Sequence, residues 1–116
     1  MIKLLKNARI YAPAPLGGKD VLVVGEKICR IDDHIQGYEG LPEVEVFDLE
    51  GRTLVPGYID LHVHITGGGG EQGPTSRVPE SQLSVFVENG ITTVVGLLGT
   101  DGITRSIENL VAKARA

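Results

Sequence analysis

Short apolar runs separated by Gly- and Pro-containing stretches fill the first half of the chain. Ile2 to Tyr11 carries an extended apolar pattern, Asp20 to Val24 is a compact apolar run, and Val44 to Asp48 alternates. Runs of this length bounded by turn residues favour β-strands. Gly25-Glu26 fits a two-residue hairpin turn with Gly first, which returns the chain through Lys27 to Ile31. This half is therefore predicted to be a small β-sandwich or meander.

The period of the apolar positions changes after residue 56. Tyr58 to Ile65 alternates as a strand, and Ile91 to Gly99 is apolar on both faces, as in a parallel strand buried from both sides. Between them, helical spacing predicts a helix with Pro79 in its first turn and a stop at Asn89-Gly90. Ile103 to Ala114 predicts a second amphipathic helix. Strands alternating with helices indicate a parallel α/β fold.

The order of elements predicts two domains, residues 1–55 and residues 56–116. The second would contain two β/α units, whereas a closed barrel of such units needs eight of them and about 250 residues. With 116 residues, the chain is expected to be the front portion of a larger enzyme.

Composition excludes several classes of partner. A net charge of −4 without a basic cluster argues against nucleic acid. No stretch approaches the roughly 18 apolar residues of a membrane span. The single cysteine, Cys29, rules out an internal disulfide and, without a secretory segment, favours a reducing compartment. We therefore expect a cytoplasmic protein with neither nucleic-acid nor membrane partners.

Two histidines at the end of the strand from Tyr58 are candidate metal ligands. His62 and His64 are two residues apart and share a strand face with Asp60. Two neutral imidazoles a few ångströms apart on a rigid element suit a metal ion. Spacing alone leaves an ordinary exposed strand with alternating polar residues as the alternative. Two imidazoles are also an incomplete site, because zinc normally takes three or four protein ligands.

The segments after the two predicted strands are candidate substrate-binding loops. Gly67 to Gly70 precedes Glu71, which could pair with a cationic group. Thr100-Asp101 follows the second strand, where a hydroxyl and backbone amides could receive an anion. The alternatives are a disordered glycine tip, a solvated carboxylate and a helix cap by Asp101 or Thr104, of which the cap is favoured for Asp101.

These motifs resemble those of one enzyme superfamily. Pro56 to His64, read PGYIDLHVH, resembles the metal-binding first strand of the amidohydrolase superfamily. Gly67 to Arg77, read GGGGEQGPTSR, and Val94 to Asp101, read VVGLLGTD, are similar to the isoaspartyl dipeptidase (β-aspartyl peptidase) family within it. The resemblance implies an α/β fold: the N-terminal part of a small β-sandwich over residues 1–55, followed over 56–116 by the first two β/α units of an incomplete (β/α)₈ TIM-type barrel.

The resemblance also implies roles for individual residues. His62 and His64 would bind the more buried ion of a binuclear Zn²⁺ centre. Glu71 would pair with the α-ammonium of a small β-aspartyl dipeptide, and the backbone at Gly69 together with Thr100 would help to hold its carboxylate. Metal-activated hydroxide would attack the side-chain amide carbonyl. The whole enzyme is expected to be a homo-oligomer.

The rest of such a centre has no counterpart in these residues. The family's bridging carboxylated lysine, two further histidines and catalytic aspartate come from later strands, and Lys113 lies in a predicted helix. We therefore expect the N-terminal portion of a cytoplasmic metallohydrolase, inactive by itself. The alternatives are another amidohydrolase, such as a dihydroorotase-like cyclic amidase or an N-acyl amino-acid deacylase, and a non-catalytic truncated fragment.

Overall fold

The computed structural model describes all residues from Met1 to Ala116. The chain divides into two compact units, Met1–Pro56 and Gly57–Ala116.

The first unit is one five-stranded sheet. Its strands are β1 (Ile2–Tyr11), β2 (Pro15–Val24), β3 (Lys27–Asp32), β4 (Val44–Asp48) and β5 (Thr53–Leu54). The spatial order is β3-β2-β1-β4, and β5 also pairs with β1. β2 runs antiparallel to β1 and β3, whereas β4 and β5 run parallel to β1. The predicted strands are thus present, and the unit is β-rich with a single sheet layer.

The predicted hairpin at Gly25-Glu26 is confirmed. Val24 pairs with Lys27 across the turn, and Gly25 has φ +60°, the left-handed conformation that a Gly-first hairpin turn requires. β2 begins earlier than the predicted run from Asp20, because Pro15 already pairs with Tyr11.

The sheet carries apolar side chains on both faces. Leu4, Leu22 and Ile35 form one cluster of buried side chains, and Ala8, Ile10 and Val21 form a second. Successive strand residues point to opposite faces, and paired Leu4–Leu22 and Leu5–Val21 place the two clusters on opposite sides. A bulge between Leu5 and Ala8 interrupts the β1–β2 register.

The second unit combines short strands with two helices. Its elements are β6 (Tyr58–Val63), β7 (Gly68–Gly70), β8 (Gly73–Val78), α1 (Leu83–Glu88), β9 (Ile91–Gly96) and α2 (Ile107–Arg115). β6 and β9 are parallel, as predicted, and β7 and β8 form an antiparallel pair. Neither helix has the length and apolar character needed to cross a bilayer.

The structure corrects several element boundaries. The helix predicted with Pro79 in its first turn begins only at Leu83. β8 extends to Val78, and the Ser81 N–H is donated to the Ile65 carbonyl at 3.1 Å, which holds the residues before Leu83 outside the helix. The second predicted strand ends at Gly96 instead of Gly99, and the second helix begins at Ile107 instead of Ile103.

The apolar face of β6 is covered only near its carboxyl end. Ile65, just after the strand, is buried, and Val63 is half-buried. Ile59 and Leu61 are 63% and 71% exposed. The amino-terminal half of this apolar face is therefore uncovered within its own unit.

Candidate functional site

His62 and His64 lie together at the carboxyl end of β6. Their ring centroids are 5.2 Å apart and the rings meet edge to face, at 86°. A tetrahedral zinc ion with Zn–N bonds of about 2.1 Å places two coordinating rings with their centroids about 5 Å apart. The spacing of the two imidazoles therefore fits two ligands of one ion.

Hydrogen bonding orients the His64 ring. Its Nδ1 lies 3.0 Å from the Leu97 carbonyl oxygen, which makes Nδ1 the donor and leaves the Nε2 lone pair free. The Leu97 N–H is itself donated to the Val63 carbonyl at 2.8 Å. A second ring nitrogen held by a carbonyl is the usual support of a metal-ligating histidine.

A third ligand is not present beside these two. The chain contains no group of three or more His, Cys, Asp or Glu side chains that could hold a metal ion. Asp60 accepts the His62 backbone N–H at 3.1 Å. Lys113 lies on α2, as predicted, and its ammonium is 3.3 Å from a Glu80 carboxylate oxygen. The histidine pair fits one part of a metal centre but does not complete it.

The glycine segment is an ordered hairpin strand and not a loose tip. The Gly69 N–H is donated to Asp101 Oδ2 at 2.7 Å, and the Gly70 N–H to Ser76 Oγ at 3.1 Å. A side chain at Gly69 would place its Cβ 2.8 Å from the Gly73 carbonyl oxygen. Glycine is therefore required for the close pairing of β7 with β8.

Asp101 organises the turn after β9. Its Oδ1 accepts the N–H groups of Ile103 and Thr104 at 3.0 and 2.8 Å, and the Thr104 hydroxyl donates to Oδ2. Hydrogen bonds from the Thr104 hydroxyl and N–H, and from Gly69, hold the pKa of Asp101 well below its usual range. The prediction that Asp101 caps the second helix is wrong: α2 is capped by Ser106, whose Oγ accepts the Asn109 N–H at 3.2 Å.

Arg105 is a site residue that sequence reasoning missed. It is only 6% exposed, and its guanidinium donates to backbone carbonyls: Nε to Thr66 and Gly67 at 3.2 and 3.4 Å, and Nη1 to Leu98 at 2.8 Å. Arg105 falls inside the predicted amphipathic helix, where an arginine is ordinarily solvated, so the sequence carried no signal for this burial. Thr66 is also buried, and its hydroxyl has no hydrogen-bond partner in the chain.

The remaining predicted residues are exposed. Thr100 lines a pocket of about 160 Å³ together with Gly70, Arg77 and Asp101. Glu71, which follows β7 directly, is exposed and does not line this pocket. The structure thus brings Thr100 close to the glycine segment and pairs the two histidines, and it leaves the Glu71 carboxylate free in solvent.

Comparison with known proteins identifies a class first. The chain is 30% identical over 109 residues to dihydroorotase from Staphylococcus epidermidis, covering 94% of this chain and 24% of that enzyme. Dihydropyrimidinase from Brevibacillus agri NCHU1002 has the same fold over 99% of this chain and 24% of its own, with a TM-score of 0.72 and 24% identity. The chain thus resembles hydrolases of the amidohydrolase superfamily and spans about a quarter of the length of its curated relatives. No protein-family model matches it.

One kind of dipeptidase is more similar to this chain than dihydroorotase and dihydropyrimidinase are. The β-aspartyl dipeptidase from Fervidobacterium islandicum AW-1 is 51% identical, with a TM-score of 0.88, over 99% of this chain and 31% of its own. A second structure of that enzyme contains a β-Asp-Leu dipeptide. The resemblance to isoaspartyl dipeptidase that the motifs predict is therefore confirmed across the chain.

Proposed function

We propose that this chain is the N-terminal portion of a zinc-dependent β-aspartyl dipeptidase. The observation that carries the proposal is the 51% identity, over 99% of the chain, to an enzyme whose structure contains β-Asp-Leu. In this proposal residues 1–55 belong to a β-sandwich, and residues 56–116 are the first two β/α units of a (β/α)₈ barrel. The parallel β6–β9 pair with α1 between them in the chain supports the second assignment.

His62 and His64 would hold one ion of a binuclear Zn²⁺ centre. Support comes from the 5.2 Å between their rings and from the Leu97 carbonyl that holds His64 Nδ1. Bound zinc supplies Lewis acidity, which polarises the scissile carbonyl and lowers the pKa of a water molecule. The two imidazoles would fix the position of the ion relative to the substrate-binding loops.

The substrate would be held by the segments that follow β6 and β9. Glu71, exposed after β7, would pair with the α-ammonium of the dipeptide. The Thr100 hydroxyl would donate to its carboxylate. The Gly69 N–H is already donated to Asp101, so Gly69 would contribute mainly by letting the main chain come close to the substrate.

The same proposal covers the setting of the enzyme. It would act in the cytoplasm as a homo-oligomer, on small β-aspartyl dipeptides. The 116 residues alone would be inactive, because they provide two imidazoles and no third ligand.

The test is hydrolysis by the whole zinc-loaded enzyme that contains this chain. It is expected to cleave β-aspartyl-leucine and to leave α-aspartyl-leucine intact. The recognition groups would fit an ammonium and a carboxylate carried by one carbon, and only the β-linked peptide has such a carbon, one methylene away from the scissile carbonyl. Equal rates on the two peptides, or no cleavage of either, would sink the proposal.

A dihydroorotase-like cyclic amidase or an N-acyl amino-acid deacylase is the second candidate, and the 30% identity to dihydroorotase favours the former. Glu71→Gln separates these from a dipeptidase, because only a substrate with a free ammonium needs the carboxylate. A dipeptidase should show a KM for β-aspartyl-leucine raised about 10- to 100-fold, the value of a charged hydrogen bond. Glu88→Gln, an exposed change on α1, is the matched control. An unchanged KM in Glu71→Gln would favour the second candidate.

A further inference from the structure

Two side chains four residues apart tie the glycine segment to the turn after β9. Asp101 accepts the Gly69 N–H, and Arg105 donates to the Thr66 and Gly67 carbonyls. Both residues lie after β9, whereas the groups that they bind lie after β6. We call Asp101 and Arg105 together the clasp.

Because Arg105 is buried, its guanidinium needs hydrogen-bond acceptors at suitable positions around it. A charged side chain that is 6% exposed must regain in hydrogen bonds what it loses in hydration. No carboxylate pairs with Arg105, and its hydrogen-bond acceptors are carbonyl oxygens from both segments. A guanidinium reaches several carbonyls at once because its donors form a rigid planar fork, which a lysine ammonium lacks.

Gly68 lies between the two halves of the clasp. A Cβ on Gly68 would be 2.7 Å from Arg105 Nε and 2.9 Å from Asp101 Oδ2. Its φ of +156° is also one that side-chain-bearing residues rarely adopt. The segment is therefore held from both sides at a residue three positions before Glu71.

We propose that the clasp positions Glu71 for the substrate ammonium by holding residues 67–70 against the turn after β9. Asp101 and Arg105 are positioning residues in this proposal, and they act through the main chain to which Glu71 is joined. The inference rests on the proposed function, since Glu71 has a substrate partner only if the enzyme takes amine-bearing dipeptides.

The kinetic consequence follows from where Glu71 acts. The substrate ammonium is not at the reacting bond, so a Glu71 contact is equally strong in the ground and transition states. Losing such a contact raises KM and leaves kcat unchanged. If the clasp were merely structural, a substitution in it would instead lower the melting temperature and the yield of active enzyme, and it would not raise KM selectively over kcat.

The test uses the whole zinc-loaded enzyme carrying Arg105→Lys or Asp101→Asn, with Arg115→Lys on α2 as the matched control. KM and kcat for β-aspartyl-leucine are measured together with the melting temperature and with amide hydrogen exchange of residues 66–71. We expect KM to rise about tenfold, which corresponds to about 1.4 kcal/mol, with kcat changed less than about threefold. Exchange at residues 66–71 should accelerate at least about tenfold, and the control should match the wild type.

Three results would overturn the clasp. They are unchanged exchange at residues 66–71, unchanged KM, or exchange that accelerates throughout both units together with a lower melting temperature. If Arg105→Lys does not fold, Asp101→Asn alone decides, because it changes one polar side chain at the surface of the turn. A wild-type enzyme that does not cleave β-aspartyl-leucine overturns the proposed function and the kinetic part of this inference, whereas the exchange experiment still decides whether the clasp holds the segment.

Discussion

The His64 ring packs against a glycine that has no room for a side chain. A Cβ on Gly99 would lie 2.7 Å from His64 Cε1 and 2.8 Å from Arg105 Nη1. Gly99 also has φ +75°, in the left-handed region. One residue without a side chain thus lets a candidate metal ligand and a buried guanidinium approach the same stretch of main chain.

Replacing Gly99 by alanine should therefore displace the His64 ring. We expect Gly99→Ala in the whole enzyme to lose at least about tenfold in kcat/KM, and about 1–2 kcal/mol of stability from the left-handed backbone alone. Activity, bound zinc and thermal unfolding measure the effect. Gly102→Ala, three residues on with no atom within 4 Å of its Cβ, should match the wild type, and equal behaviour of the two variants would contradict the prediction.

Asp20 is a buried carboxylate in the first unit that supports a bulge in the sheet. It is 1% exposed and accepts the N–H groups of Asn7 and Ile35 at 2.9 and 3.0 Å. Asn7 lies at the bulge with φ +56°. Burial alone would raise the pKa of Asp20, but the Ile35 and Asn7 N–H groups, with the nearby His34 and Lys6 charges, lower it overall.

This carboxylate should make stability depend on pH. Because the pKa of Asp20 is lower in the folded state, its contribution is complete above the unfolded pKa of about 3.9 and is lost as the pH falls through the folded value. Asp20→Asn should cost about 1–3 kcal/mol at pH 7, since one buried N–H loses its acceptor, and less at pH 3. Urea unfolding at the two pH values, with exposed Asp33→Asn as control, tests this. A cost for Asp20→Asn that does not fall between pH 7 and pH 3 would refute it.

At the scale of elements, apolar periodicity predicted the strands whose own residues carry the pattern. Apolar residues alternate or cluster in the strands of the first unit and in the parallel strands β6 and β9, and the structure contains these strands. The β7–β8 hairpin was not predicted, because Gly, Pro, Ser and Thr carry no apolar period there. Its fixed geometry depends on Asp101, 32 residues away from Gly69, and such long-range contacts leave no trace in a local pattern.

The start of α2 illustrates the same limit and can be tested. Apolar spacing placed it at Ile103, but the Asp101 turn uses the N–H groups of Ile103 and Thr104, and the helix begins after Ser106. Ser106→Ala should cost about 1 kcal/mol, the usual value of an N-cap. Chemical denaturation measures it, and Ser84→Ala, inside α1, should be neutral or slightly stabilising. No loss in Ser106→Ala would mean that α2 does not depend on its cap.

At the scale of the whole molecule, the sequence indicated the candidate metal ligands more clearly than it indicated the residues that hold the surrounding segments in place. The histidine pair was visible because two imidazoles at i and i+2 share a strand face, and their rings do lie together. The sequence did not indicate the role of Arg105, because its hydrogen-bond partners are backbone carbonyls, and every residue type has a backbone carbonyl. The roles of His62, His64, Glu71, Gly69 and Thr100 in binding stay predictions.

The apolar face of β6 predicts how the 116-residue chain behaves in solution. Ile59 and Leu61 are largely exposed on a two-stranded sheet, and such sheets are marginal unless further strands or helices cover them. Burying a large aliphatic side chain is worth about 1.5–3 kcal/mol, so two per copy favour association of this face with a second copy. We expect the chain to self-associate at micromolar concentrations in sedimentation velocity.

The double variant Ile59→Thr and Leu61→Thr should raise the dissociation constant at least about 100-fold, because threonine keeps the strand preference and removes most of the apolar area. Ile28→Thr, 66% exposed in the first unit, is the matched control and should associate like the wild type. A monomeric wild-type chain, or equal association of the double variant, would show that this face is not the one that drives contact between copies.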